Sequence, residues 1–167
     1  TSVPTLTPPP GGTFTPTPPA GPYVSTTVNS TNVQIGDTAL VSVDLHNIPV
    51  DGYTGAEFTC TYDHALTQTS NVVVSSLLGA DAVTAINDPQ NGMFIVAVAG
   101  SHGNKAATSG TVFTFNAKGI KTGQTAIECT ARVSQGTNSL SPLPSIGTSL
   151  TVVGLTPTPT SPFPPPT

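Results

Sequence analysis

Ala56-Glu57-Phe58-Thr59-Cys60-Thr61-Tyr62 and Ile127-Glu128-Cys129-Thr130-Ala131-Arg132-Val133 are two stretches in which apolar and polar side chains alternate. Successive side chains of an extended strand point to opposite faces, so each stretch reads as a strand with one face on a core. The core set is Ala56, Phe58, Cys60 and Tyr62 in the first, and Ile127, Cys129, Ala131 and Val133 in the second. If the two strands are antiparallel neighbours with Cys60 opposite Cys129, then Glu57 falls opposite Arg132 on the outer face. One register thus accounts for two rare residue pairs. Neither cysteine has a second Cys or a His at a metal-ligand spacing, which leaves a disulfide or two buried thiols. A composition suited to export favours the disulfide.

Working outward, Gly, Asn, Asp and Pro divide the middle of the chain into short alternating or apolar runs. Nine strands are predicted, near 23–29, 39–45, 54–62, 70–75, 83–87, 92–99, 111–118, 125–133 and 148–153. Turns are marked by Ile35-Gly36-Asp37, Pro49-Val50-Asp51-Gly52, Asp88-Pro89-Gln90-Asn91-Gly92, Ser109-Gly110 and Lys121-Thr122-Gly123. Only Ser75 to Val83 has room for a single helical turn. The expected fold is all-β, a nine-stranded antiparallel jelly-roll or immunoglobulin-like sandwich.

This sandwich is expected to span residues 23–155, between Pro/Thr-rich arms at 1–22 and 156–167. The first arm holds eight Pro and six Thr with no charged side chain, and the second six Pro and four Thr. Each Pro ring fixes φ and removes a backbone donor, which favours extended polyproline II. At ~3.1 Å per residue the arms would reach about 70 Å and about 37 Å. Thr beside Pro suits O-glycosylation, with Thr5, Thr7, Thr15, Thr17, Thr156, Thr158 and Thr160 as candidates. Asn29-Ser30-Thr31 is an N-glycosylation sequon.

Charged residues make up 7% of the chain and the formal charge is −4 without a basic cluster, so no nucleic-acid partner is expected. The longest nearly apolar run, Met93 to Ala99, is a third of a membrane-spanning helix, and no membrane insertion is expected. A chain opening Thr-Ser-Val-Pro is read as a mature, secreted product, placed outside the cell or on its surface.

Four runs carry a family resemblance: Val33-Gln34-Ile35-Gly36-Asp37-Thr38-Ala39-Leu40-Val41-Ser42-Val43, Asn47-Ile48-Pro49, Gly55 to Asp63, and Ser109-Gly110-Thr111-Val112-Phe113-Thr114-Phe115. Their order and spacing resemble the cohesin family, the nine-stranded jelly-roll modules of bacterial scaffold proteins. The resemblance covers most of Val24 to Val153. It implies a sandwich that binds dockerin modules through one face, with Pro/Thr-rich linkers on either side. The family has no compact motif from which individual binding residues can be assigned.

Enzymatic chemistry finds no foothold. His46, His64 and His102 lie in separate segments, and Asp63-His64, the nearest approach to a catalytic pair, reads as a turn. Asp81, Asp88 and Asn91 are the loop oxygens that would have to converge on Ca²⁺, but their spacing fits no EF-hand loop. The chain is therefore expected to be no enzyme and to need no cofactor. Without Trp, a carbohydrate-binding role ranks low. Two readings remain. In the first, the sandwich is the protomer of an extracellular filament, a homopolymer whose arms dock on neighbouring copies with Phe14 and Phe163 as apolar anchors. In the alternative, it is a cohesin-type module that recruits a dockerin-bearing partner.

Overall fold

The computed structural model describes residues 16–159. Twelve strands run in chain order: β1 (Tyr23–Val28), β2 (Asn32–Gln34), β3 (Thr38–His46), β4 (Gly55–Thr61), β5 (Thr67–Val74), β6 (Val83–Ile86), β7 (Met93–Ala99), β8 (Gly110–Gly119), β9 (Gly123–Ser134), β10 (Ser141–Pro142), β11 (Ser145–Ile146) and β12 (Thr148–Val153). They form two sheets, ordered β11-β1-β3-β8-β5 and β2-β12-β9-β4-β7-β6, with β10 also paired to β9. The all-β sandwich is as expected, but the strand count is twelve, not nine. The three extra strands have two or three residues each, too short for alternation to show. Two pairings are also parallel, β1 with β11 and β2 with β12. They arise because the first and last parts of the chain each divide between the sheets.

β5 begins at Thr67, earlier than its apolar residues indicate, because the inward positions are threonines: Thr67 and Thr69 are buried. The segment Ser75 to Val83 contains turns and no helix.

Burial along β9 alternates without a break from Thr125 to Val133. The inward residues of both sheets meet in one core, whose centre is Phe58, Phe94, Phe113 and Phe115, all fully buried. Phe94 lies edge-on to Phe115 at 4.9 Å between ring centroids, and Phe58 edge-on to Phe113 at 5.2 Å. Such edge-to-face geometry sets the positive rim of one ring against the negative face of the next.

Cys60 and Cys129 are Cα partners in the β4–β9 ladder and are joined by a disulfide, with Cα atoms 4.0 Å apart. The Cys129 N–H donates not across the ladder but to the buried Thr26 Oγ1 at 3.0 Å. The cysteines thus occupy a non-hydrogen-bonded pair, the closer-set kind. Thr26, on β1 of the opposite sheet, satisfies a backbone donor that would otherwise be stranded.

Gly36 turns the chain from β2 into β3 with φ +94°, while Asn91-Gly92 close the β6–β7 hairpin with φ +51° and +81°. At Gly92 a Cβ would collide with the Tyr62 carbonyl oxygen, so only glycine fits there.

Candidate binding face

The outward residues of β9, β4, β7 and β6 form rows fixed by the ladder register. One row runs Arg132, Glu57, Ala97, Ala85; the next runs Thr130, Thr59, Ile95; a third runs Glu128, Thr61, Met93. Ala99 and Val83 close the far corner. The β9–β4 half is polar, and the Arg132 guanidinium donates to Glu57 Oε1 as the register required. That ion pair is exposed and contributes at most about 1 kcal/mol.

The β7–β6 half is apolar. Inward, β7 presents Phe94, Val96 and Val98; outward, it presents Met93, Ile95, Ala97 and Ala99. Strands of an antiparallel sheet with one wetted face usually alternate, so a strand apolar on both faces is one whose outer side suits cover. Beside it Val83 is 66% exposed, and Ala85, Ile86, Asn87, Ile95 and Ala97 line a shallow depression of about 330 Å³. Asn87 ends β6 by pairing with Ile95 through both its backbone N–H and its Oδ1. The signal was in the sequence, since Met93 to Ala99 is its longest apolar run.

The outer face of the other sheet is more self-contained. Tyr23 stacks on His46 at 4.4 Å, Ser25 Oγ lies 2.7 Å from His46 Nε2, and Thr111 donates to Asp44. Ser25 and His46, and Thr111 and Asp44, thus satisfy one another in pairs. The Ser25–His46 contact was not legible beforehand because it depends on the β1–β3 register.

The remaining sequence candidates are scattered. Asp63 Oδ1 accepts from the Ala65 N–H and its carbonyl from Thr67, so Asp63-His64 forms a turn, as expected. Asp81 precedes β6 whereas Asp88 and Asn91 follow it, so the three do not converge, and among the described residues no cluster of metal-ligating groups occurs. Asn29 is exposed, with Oδ1 accepting from the Leu40 N–H. Thr17, Thr156 and Thr158 are exposed. Thr5, Thr7, Thr15, Thr160, Phe14 and Phe163 lie outside the described residues.

Asp81 instead ties the loop before β6 to the loop after β7. Its carboxylate meets His102 Nδ1 at 2.7 Å and accepts from Asn104 Nδ2 at 3.0 Å. The His102 hydrogen bond leads in holding the Asp81 carboxyl below its ordinary value; burial opposes, and bonds from its own backbone, Asn104 and Ser101 assist. A depressed folded-state pKa gives a contribution present above the ordinary carboxylate value and lost as pH falls through the folded one. The amide resonances of Ser101, His102 and Asn104 should therefore shift together on acidification, with a midpoint below about 3.9. A midpoint at or above that value, or the same titration in Asp81→Asn, would show that Asp81 does not hold the loops.

Comparison with known proteins places this geometry in context. The family profile described as the Cohesin domain matches residues 24–153. The sixth cohesin of scaffoldin B from Acetivibrio cellulolyticus, solved with a variant Cel5 dockerin, superposes with a TM-score of 0.68 at 17% identity, covering 80% of this chain and 100% of that one. The Coh-OlpA module of Clostridium thermocellum, solved with Doc918, gives 0.65 at 16% identity, covering 78% and 99%. A non-cellulosomal cohesin from the archaeon Archaeoglobus fulgidus gives 0.64 at 15%, covering 80% and 92%. No curated protein matches by sequence.

Proposed function

This chain belongs to the cohesin family, and on that premise we propose that it is a non-catalytic, extracellular recruiting module that binds a dockerin-type partner on the outer face of β9–β4–β7–β6. The observation that carries the reading is β7, apolar on both faces, set beside a polar half with Thr59, Thr130, Glu57 and Arg132. An apolar area bordered by hydrogen-bonding groups is the usual anatomy of a specific interface. The alanines at 85, 97 and 99 keep the relief low, so a partner's backbone can approach closely. The scaffoldin B and Coh-OlpA cohesins compared above were both solved with dockerins. The disulfide supports an oxidising destination outside the cell.

The filament reading, in which copies of the chain bind one another, has no supporting observation among the described residues. Its anchors Phe14 and Phe163 lie beyond them.

Ala97 is the test position, because its side chain sits at the middle of the face and outside the core. Ala97→Arg should weaken capture of a recombinant dockerin by about a hundredfold or more, since a long side chain at the centre of this low face would hold the partner's backbone off and would have to be desolvated on binding. Leu40→Arg, on the opposite sheet, should bind as the parent does. The probe is a panel of dockerin modules that includes those of the solved complexes. Capture of none of them, or equal capture by Ala97→Arg, would overturn the proposal.

A further inference from the structure

A second concavity lies at the pole of the sandwich where β1 begins, away from the proposed binding face. Pro49, Tyr53, Val133 and Leu143 form its apolar lining, and Gln135, Asn138, Ser139 and Ser141 its rim, around about 200 Å³. Tyr53 is only 4% exposed, and it carries the one hydroxyl of the apolar lining. Burial raises the pKa of that hydroxyl, which keeps it a donor. Small-molecule sites usually exceed roughly 300 Å³, so this space suits one or two side chains of a segment laid across its mouth.

We infer that this pocket docks the chain's own N-terminal segment, residues 1–15, with Pro8-Pro9-Pro10 against Tyr53. Three observations carry the assignment. The first is chemical: proline-rich segments seat in aromatic-lined grooves because their conformation is already restricted. Their carbonyls accept while their ring nitrogens donate nothing, and the rim amides and hydroxyls and the Tyr53 O–H are donors. The second is charge, since neither the pocket lining nor residues 1–15 carry any. That argues against a nucleotide, a metal or a charged peptide.

The third is placement. Gly21 O accepts from Asn47 Nδ2 at 3.1 Å, and the Val24 N–H donates to Pro144 O at 3.0 Å. Asn47 lies two residues before Pro49, and Pro144 follows Leu143. The arm therefore leaves between the two segments that become the pocket's walls. Residues 16–20 span at most about 18 Å when extended, so residues 1–15 begin within reach of the pocket. A tether this short gives an effective concentration of roughly millimolar, enough for a weak site to be filled.

The test uses the full chain and the steady-state ¹H–¹⁵N NOE of the Leu6, Thr7, Gly11 and Gly12 amides. In the parent these values should be those of a held segment. They should fall to free-tail values in Ser139→Trp, which fills the pocket from its rim, and fall part of the way in Tyr53→Phe, which removes only the hydroxyl. Replacing Pro8, Pro9 and Pro10 together with Ala should release the segment and shift the Ser141 and Leu143 amides while core resonances stay in place. Equal NOE values in parent and Ser139→Trp would overturn the inference. Held values that are lost on dilution would overturn it too, by identifying a second copy's arm as the occupant.

Discussion

Phe94→Ala is expected to lower the unfolding free energy by about 3–5 kcal/mol, a large share of the roughly 5–15 kcal/mol that holds a domain together. The reason is position. Phe94 is fully buried, lies opposite Cys60 on β4, and its ring meets Phe115 at 4.9 Å, with Phe113 and Tyr62 each at 6.5 Å. Removing it opens a void between the sheets that four rigid neighbours, held by their own ladders, cannot close. Urea unfolding monitored by far-UV circular dichroism measures the loss. Leu40→Ala, on an exposed position of β3, should cost under about 0.5 kcal/mol in the same assay. A Phe94→Ala loss below about 1 kcal/mol would mean that the aromatic cluster is not the centre of the core.

Replacing both cysteines with Ala should cost about 4 kcal/mol. Cys60 and Cys129 are 69 residues apart in sequence, and in the chain-entropy account closing a loop of that length removes about 4.4 kcal/mol of freedom from the unfolded chain. The folded state should change little, since the β4–β9 ladder is hydrogen-bonded on both sides of the pair. The midpoint of urea unfolding should therefore drop while the folded-state spectrum is kept. Two reactive thiols in the unfolded, unreduced parent would show that the bridge does not form, and a double-Ala variant as stable as the parent would show that it contributes nothing.

Much of this was legible in advance, for reasons that can be located. β4 and β9 alternate over enough residues for period two to stand out, and the Cys and Glu–Arg pairs then fix their register. β2, β10 and β11 escaped because two or three residues have no period; they exist through the long strands they pair with. β5 was read short because its inward Thr67 and Thr69 carry hydroxyls where an apolar residue was sought. The candidate face was half visible. Its polar half follows from the β4–β9 register, but its apolar half required knowing that β7 lies next to β4 with β6 outside it. Alternation reports which side chains share a face, not which strands are neighbours. The Asp81–His102 contact was invisible for a related reason, since it joins two loops brought together only by that strand order.

The two parallel pairings have a mechanical consequence. β1 starts at one pole of the sandwich and β12 ends at the other, while β1 lies parallel to β11 and β2 to β12. A pull applied through the two ends drags these neighbours lengthwise past each other, across hydrogen bonds that lie mainly transverse to the load. Bonds sheared in this way share the force and must yield as a set, whereas an edge strand peeled from its end gives them up one at a time. A module tethered at both poles would resist extension with its whole terminal clamp, while β6 and the outer face of β7 lie outside the loaded pairings.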